Sequence, residues 1–139
     1  IAATDFEKLE NNLSFDQRVG SNFSHSIILK SSSIKSFSDT VFATDTLEVL
    51  SGHERSVAEG SRLVRLGGDC YVFSMLAMGL IHVVFEKGLK PYDIQALIPI
   101  IEGAGGVVTT LDGGNPSLGG SIVATANPQL HEDVLRRLT

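Results

Sequence analysis

The chain has 139 residues, of which 42% are hydrophobic and four are proline, and its formal net charge is −5. These values predict one globular domain with a buried core and argue against a largely disordered chain. Lysine and arginine form no dense cluster, which excludes the electrostatic pattern typical of nucleic-acid-binding and anionic-membrane-binding proteins. We therefore expect a small-molecule partner, with no nucleic acid and no membrane.

Cys70 is the single cysteine of the chain, so an internal disulfide and a multi-cysteine zinc site are excluded. This usage suits a reducing compartment, and we expect a cytoplasmic protein. The longest uncharged run, residues 70–85, is shorter than the roughly 20 residues that span a bilayer. The chain begins at Ile1 without a methionine or a signal pattern, which suggests a fragment or a processed product.

The first 38 residues carry weak patterns. Phe6, Leu9 and Leu13 form one possible helical stripe, and residues 27–29 are either a short strand or part of a serine-rich linker. The composition changes near Ser33. We therefore assign residues 1–38 to an N-terminal segment and residues 39–139 to the folded domain.

From residue 39 onward, strand and helix patterns alternate, which predicts a layered α/β domain. Strands are predicted at residues 40–44, 63–64, 81–85, 107–110 and 121–126. Helices are predicted at residues 54–59, from Asp69 to about Gly79, from Asp93 through the apolar positions 94, 97, 98 and 101, and after the cap residue Asn127.

Three acids stand at the boundaries of these elements: Asp69, Glu86 and Asp93. An aspartate before a helix is commonly an N-cap, and a glutamate at a strand end is commonly solvated. Each is also a hard oxygen ligand suited to Mg²⁺, which usually takes one or two protein carboxylates. Glu86 and Asp93 are joined by six residues, short enough for both to face one cleft, and the two interpretations stay open on spacing alone.

The other candidates favour structural roles. His82 lies in an apolar strand, and His25, His53 and His131 show no spacing typical of metal ligands. Cys70 is expected to be a small buried apolar residue. The glycine-rich stretches lack the spacing of nucleotide-binding loops and are expected to form turns.

Several motifs occur in an order that resembles the inositol monophosphatase family. They are Arg-Leu-Gly-Gly-Asp-Cys-Tyr at 65–71, Glu-Lys-Gly-Leu-Lys-Pro-Tyr-Asp at 86–93, Glu-Gly-Ala-Gly-Gly at 102–106, and Asn-Pro at 127–128. Gly-Gly-Asp-Cys-Tyr and Lys-Pro-Tyr-Asp are similar to the histidinol-phosphate phosphatase branch. The resemblance covers residues 39–139 and implies the C-terminal lobe of that fold, an α/β/α arrangement with a mixed sheet flanked by helices.

The resemblance further implies a Mg²⁺-dependent phosphomonoesterase that hydrolyses a small phosphate ester and that forms homodimers. By the same matching, Asp93 corresponds to a metal ligand and Glu86 to the acid that contacts the alcohol portion of the substrate. Asp69 corresponds to the position that meets a substrate amine. Arg65 falls on a family arginine near the substrate, although a surface charge at a strand edge is the alternative.

Two family features are absent from this sequence: the Asp-Pro-Ile/Leu-Asp-Gly loop that holds most metal ligands, and the upstream glutamate ligand. The resemblance therefore implies no catalytic residue within this chain and a missing N-terminal lobe as its partner. Two hypotheses follow: a lobe of a Mg²⁺-dependent phosphatase, or a truncated, non-catalytic module of the same fold.

We predict that the isolated chain is inactive and binds Mg²⁺ no tighter than about 1 mM, because a single carboxylate ligand carries too little charge to hold the ion. Isothermal titration of residues 1–139 with MgCl₂ measures this directly, and clearly tighter binding would contradict the assignment of a half-site.

Overall fold

A computed structural model of the chain describes residues 28–138. Within these residues, five strands form one sheet, and five α-helices pack around it. The strands are β1 (Val41–Thr44), β2 (Leu63–Leu66), β3 (Val83–Leu89), β4 (Val107–Thr110) and β5 (Gly120–Thr125). The helices are α1 (Gly52–Glu59), α2 (Cys70–Ala77), α3 (Pro91–Ile94), α4 (Leu97–Gly103) and α5 (Pro128–Leu138). None of these helices has the length and apolar content needed to cross a membrane.

The sheet is mixed, with strand order β2-β1-β3-β5-β4. β1 is parallel to both β2 and β3, whereas β5 is antiparallel to both β3 and β4. The carboxyl ends of β1, β2 and β3 therefore meet at one edge of the sheet. The predicted layered α/β fold with a mixed sheet is confirmed.

Two apolar cores cover the two faces of the sheet, because successive strand residues point to opposite sides. In β1, Ala43 contributes to the core beneath α2 and α4, while Phe42 contributes to the core beneath α1 and α5. In β3, Val84 belongs to the first core and Phe85 to the second. The sheet is thus enclosed by helices on both sides.

The predicted helix that starts at Asp93 is divided in the structure. It forms the short helices α3 and α4, and Asp93 is the third residue of α3 and not its N-cap. Pro99 gives the physical reason, because proline has no N–H to donate to the carbonyl of Gln95 and its ring clashes there. The apolar positions 94, 97, 98 and 101 therefore follow one helical period across a break between two helices.

The segment before β1 is fixed by hydrogen bonds to the rest of the domain. Ser31 donates its backbone N–H and its hydroxyl to the carbonyl of Ala104, at 2.9 and 3.0 Å. Asn127 donates its amide to the carbonyls of Ser32 and Ile34, at 3.2 and 3.0 Å. Residues 28–30 form no strand, while residue 27 and the stripe formed by residues 6, 9 and 13 lie outside the described residues.

The histidines at the sheet have structural partners. His82 accepts the N–H of Val41 at Nδ1 over 2.8 Å, which gives it the expected structural partner, but it is half-buried and lies just before β3 instead of within a strand. His131 is buried between the hydroxyls of Thr109 and Thr125, each at 3.0 Å. Burial lowers the pKa of both histidines, so the neutral imidazole is the form these contacts use.

Asn127 caps α5 as predicted, since its Oδ1 accepts the N–H of Leu130 at 2.9 Å while its amide holds the segment before β1. Asn127→Ala loses both functions and should lower the free energy of unfolding by about 2 kcal/mol. Asn127→Ser keeps a capping oxygen and should lose less. Urea denaturation of the three proteins measures this, and equal losses in the two variants would show that the cap contributes nothing.

Candidate active site

An acidic cleft lies at the carboxyl ends of the parallel strands, where open α/β sheets commonly bind ligands. The cleft has a volume of about 420 Å³. Its lining consists of Asp69, Cys70, Phe73, Glu86, Leu89, Tyr92 and Asp93. The structure thus brings together the three acids that the sequence singled out.

Glu86 is the buried acid of this cleft, with 4% of its surface exposed. Its Oε1 has no hydrogen-bond partner among the described residues. Burial, followed by the negative charges of Asp45, Asp69 and Asp93, raises the pKa of Glu86 to about 7. The interpretation of Glu86 as a solvated strand end is wrong, and a carboxyl in this position is stabilised by a proton or by a cation in the cleft.

Asp45 is an acid of this region that the sequence motifs did not reveal. In the parallel pairing of β1 and β3, Thr44 lies opposite Phe85, so the next residues, Asp45 and Glu86, are neighbours on the same side of the sheet. The sequence does contain an indication of this position, because Asp45 directly follows the predicted strand 40–44 just as Glu86 directly follows the predicted strand 81–85. Asp45 is exposed, and its charge acts on Glu86.

Asp69 occupies the N-cap position of α2, but its side chain makes no capping hydrogen bond. The cap interpretation is therefore wrong for its carboxylate, which lines the cleft instead. The backbone of Asp69 has a φ of 41°, a sparsely populated region for a residue with a side chain. Such strain clusters at functional sites and costs on the order of 1–3 kcal/mol.

Asp93 reaches the cleft from the first turn of α3. Its Oδ2 accepts the N–H of Lys90 at 2.7 Å, and Pro91 stands between them at the first helical position. This bond fixes the orientation of the carboxylate without burying it, since Asp93 is exposed. A carboxylate held in this way can serve as a ligand.

Arg65 and Cys70 both occupy exposed positions near the carboxyl end of β2. Arg65 is exposed on the edge strand β2 and is not among the residues that line the cleft. Cys70 is exposed and lines the cleft, so the prediction of a buried cysteine is wrong. As the first residue of α2, Cys70 precedes the apolar positions Val72 and Phe73 that face the core.

The donor chemistry of the cleft is that of oxygen ligands. Carboxylates suit Mg²⁺, which takes few protein ligands and fills its other positions with water or phosphate. Between residues 28 and 138, no group of three or more histidine, cysteine, aspartate and glutamate side chains is arranged to hold a metal. The exposed carboxylate of Asp93 has the oxygen chemistry that Mg²⁺ prefers, and its role as a ligand stays a prediction.

Known proteins resemble this chain in sequence and in fold. The model of the inositol monophosphatase family matches residues 8–139. The chain belongs to this family. Among curated relatives, the bifunctional phosphatase IMPL2 of Arabidopsis thaliana is 38% identical, over 52% of this chain. The histidinol-phosphatase of Mycobacterium tuberculosis is 40% identical, over 54% of this chain.

The fold is shared with solved members of the family. An inositol monophosphatase from Zymomonas mobilis has a TM-score of 0.75 and 29% identity over 84% of this chain. The match covers 48% of that protein, and the matches to IMPL2 and the histidinol-phosphatase cover 23% and 28% of their lengths. The chain thus corresponds to part of these longer phosphatases.

Because Glu86 is buried, its ionisation should lower the free energy of unfolding, and the loss should depend on pH. The raised pKa means that folding opposes ionisation: the cost is absent below about 4.5, grows as the pH rises, and is complete above about 7. Glu86→Gln should therefore raise the free energy of unfolding relative to the unmodified chain at about pH 8 and much less at about pH 5.

Urea denaturation at both pH values tests this prediction. Glu102→Gln, at an exposed position of α4, is the matched control and should show no such difference. A gain for Glu86→Gln that is equal at both pH values would argue against a buried ionisable group.

Proposed function

We propose that this chain is the C-terminal lobe of a Mg²⁺-dependent phosphomonoesterase that hydrolyses a small phosphate ester. The observation that carries the proposal is Glu86, a buried carboxyl with an unpartnered oxygen, facing a cleft bordered by Asp69 and Asp93. The charges of Asp45, Asp69 and Asp93 act on Glu86, so the potential in this cleft favours a cationic ligand. Membership of the inositol monophosphatase family supports the same reaction class.

Asp93 is proposed to provide one ligand to Mg²⁺. Its carboxylate is oriented by the N–H of Lys90 and is exposed to the cleft, and its oxygens match the preference of this ion. When bound, Mg²⁺ supplies charge that polarises the phosphate of the substrate. The family resemblance implies that the other ligands belong to an N-terminal lobe.

Glu86 and Asp69 are proposed to bind the part of the substrate that remains after phosphate is removed. With a pKa of about 7, Glu86 can donate a hydrogen bond to a substrate hydroxyl as a carboxylic acid or accept one as a carboxylate. Asp69 is exposed in the same cleft and can pair with an ammonium group. This pairing, together with the similarity to a histidinol-phosphatase, favours histidinol phosphate over an inositol phosphate.

The reaction itself is tested on a longer protein that carries this chain together with an N-terminal lobe. We expect Mg²⁺-dependent release of phosphate from histidinol phosphate or an inositol phosphate, and no release by residues 1–139 alone. A folded longer protein that hydrolyses neither ester at any Mg²⁺ concentration would favour the non-catalytic module.

The homodimer implied by the resemblance stays a prediction, and sedimentation measures it.

Asp93→Asn in the longer protein should weaken Mg²⁺ binding and lower turnover by at least about tenfold, since even groups that only support a metal ligand are worth this much. Folding should survive, because asparagine can accept the same N–H of Lys90. Mg²⁺ titrations of phosphatase activity, with thermal melting as the control for folding, measure both effects. Unaltered turnover with the same Mg²⁺ dependence would show that Asp93 only stabilises the first turn of α3.

A further inference from the structure

A bulge in β3 separates Glu86 from the helix that carries Asp93. Glu86 pairs with Ile122 of β5, but the next pair is Leu89 with Gly120, so β3 contains one residue more than its partner in this interval. Gly88 lies within the bulge and has a φ of 76°, which a residue with a side chain rarely adopts. Bulges of this kind redirect side chains next to functional sites.

The bulge changes which residues face the cleft. In a regular strand, residues three apart point to opposite sides of the sheet. Glu86 and Leu89 are three apart, yet both line the cleft, and Leu89 packs against the core beneath α2 and α4. The extra residue therefore sets the direction in which the chain leaves β3 and enters α3.

Lys87 is the bulge residue that points to the opposite side, where it contacts α1. Its Nζ donates to Oε2 of Glu54 at 2.6 Å, and the two side chains are 30% and 15% exposed. Lys87 also lies over the ring of Phe85, with Nζ 5.5 Å from the centroid. A partly buried pair of this kind is screened less by salt than an exposed one.

Glu54 is itself held in place. The same Oε2 accepts the N–H of Ser51 at 3.0 Å at the start of α1. Burial alone would raise the pKa of Glu54, but the hydrogen bonds from Lys87 and Ser51 hold it below its ordinary value. The carboxylate is thus a fixed, ionised anchor for Lys87.

We propose that the ion pair between Lys87 and Glu54 positions the cleft, by holding the β3 bulge against α1 so that Asp93 returns to the side of the sheet that Glu86 faces. Neither residue lines the cleft, and both act through Glu86 and Asp93 as positioning residues. The catalytic consequence rests on the proposed phosphatase function, whereas the structural consequence can be measured without it.

Lys87→Met, which keeps the alkyl chain and removes the charge, tests the pair. In residues 1–139 we expect shifts in the amide NMR signals of Lys90 and Asp93, which form the hydrogen bond at the cleft. In the longer protein we expect kcat to fall by about tenfold or more with a smaller change in KM, because misplacement of reacting groups affects the transition state most. Lys87→Arg should preserve the signals and most of the activity.

Glu54→Gln is a milder second variant, because its amide oxygen can still accept from Lys87, and it should show the same changes to a smaller extent. Arg55→Gln is the matched control, since it removes an exposed ion pair with Glu59 on the same helix and should change neither readout. Unchanged signals at Lys90 and Asp93 with unchanged kcat, even at lower stability, would overturn the proposal. A longer protein without phosphatase activity would contradict the proposed function, while the NMR signals would still decide the positioning.

Discussion

The structure of the cleft depends on one electrostatic constraint: a glutamate is buried at the end of a parallel strand, beside three other acids. Glu86 lies in the sheet between the two apolar cores, and Asp45, Asp69 and Asp93 surround it with negative charge. A hydrophobic core does not require this arrangement, and desolvation opposes it. It becomes favourable when a proton, a metal ion or a cationic substrate group occupies the cleft.

The mixed sheet explains why these acids meet. Parallel pairing of β2, β1 and β3 brings the carboxyl ends of these three strands together at one edge of the sheet. The antiparallel strand β5 pairs with β3 on the side away from β1. The strand ends contribute Asp45, Asp69 and Glu86, and the bulge in β3 allows the chain to return with Asp93. The site is therefore assembled from four separate turns of the chain by one topology, which members of the inositol monophosphatase family share.

Local patterns were sufficient for the order of elements and for the grouping of Asp69, Glu86 and Asp93, because motif spacing and apolar periodicity are local. They did not reveal the break before Pro99, since apolar spacing continues through it. They also missed Asp45 and misplaced Cys70, because the parallel register that sets Asp45 beside Glu86 and the mouth of the cleft where Cys70 lies form only in the folded chain. Arg65 is exposed on the edge strand and does not line the cleft, which agrees with the alternative of a surface charge at a strand edge, while its role near a substrate stays a prediction.

The central claim is that Glu86 is buried in an acidic cleft that holds its pKa well above the ordinary value. The most direct measurement is a carbon-13 NMR titration of the Glu86 carboxyl in residues 1–139, repeated with Asp45→Asn. We predict a midpoint near 7 for the unmodified chain and a lower midpoint for the variant, because one neighbouring charge is removed. A midpoint near 4.5 in both proteins would show that Glu86 is an ordinary solvated acid and would contradict the account.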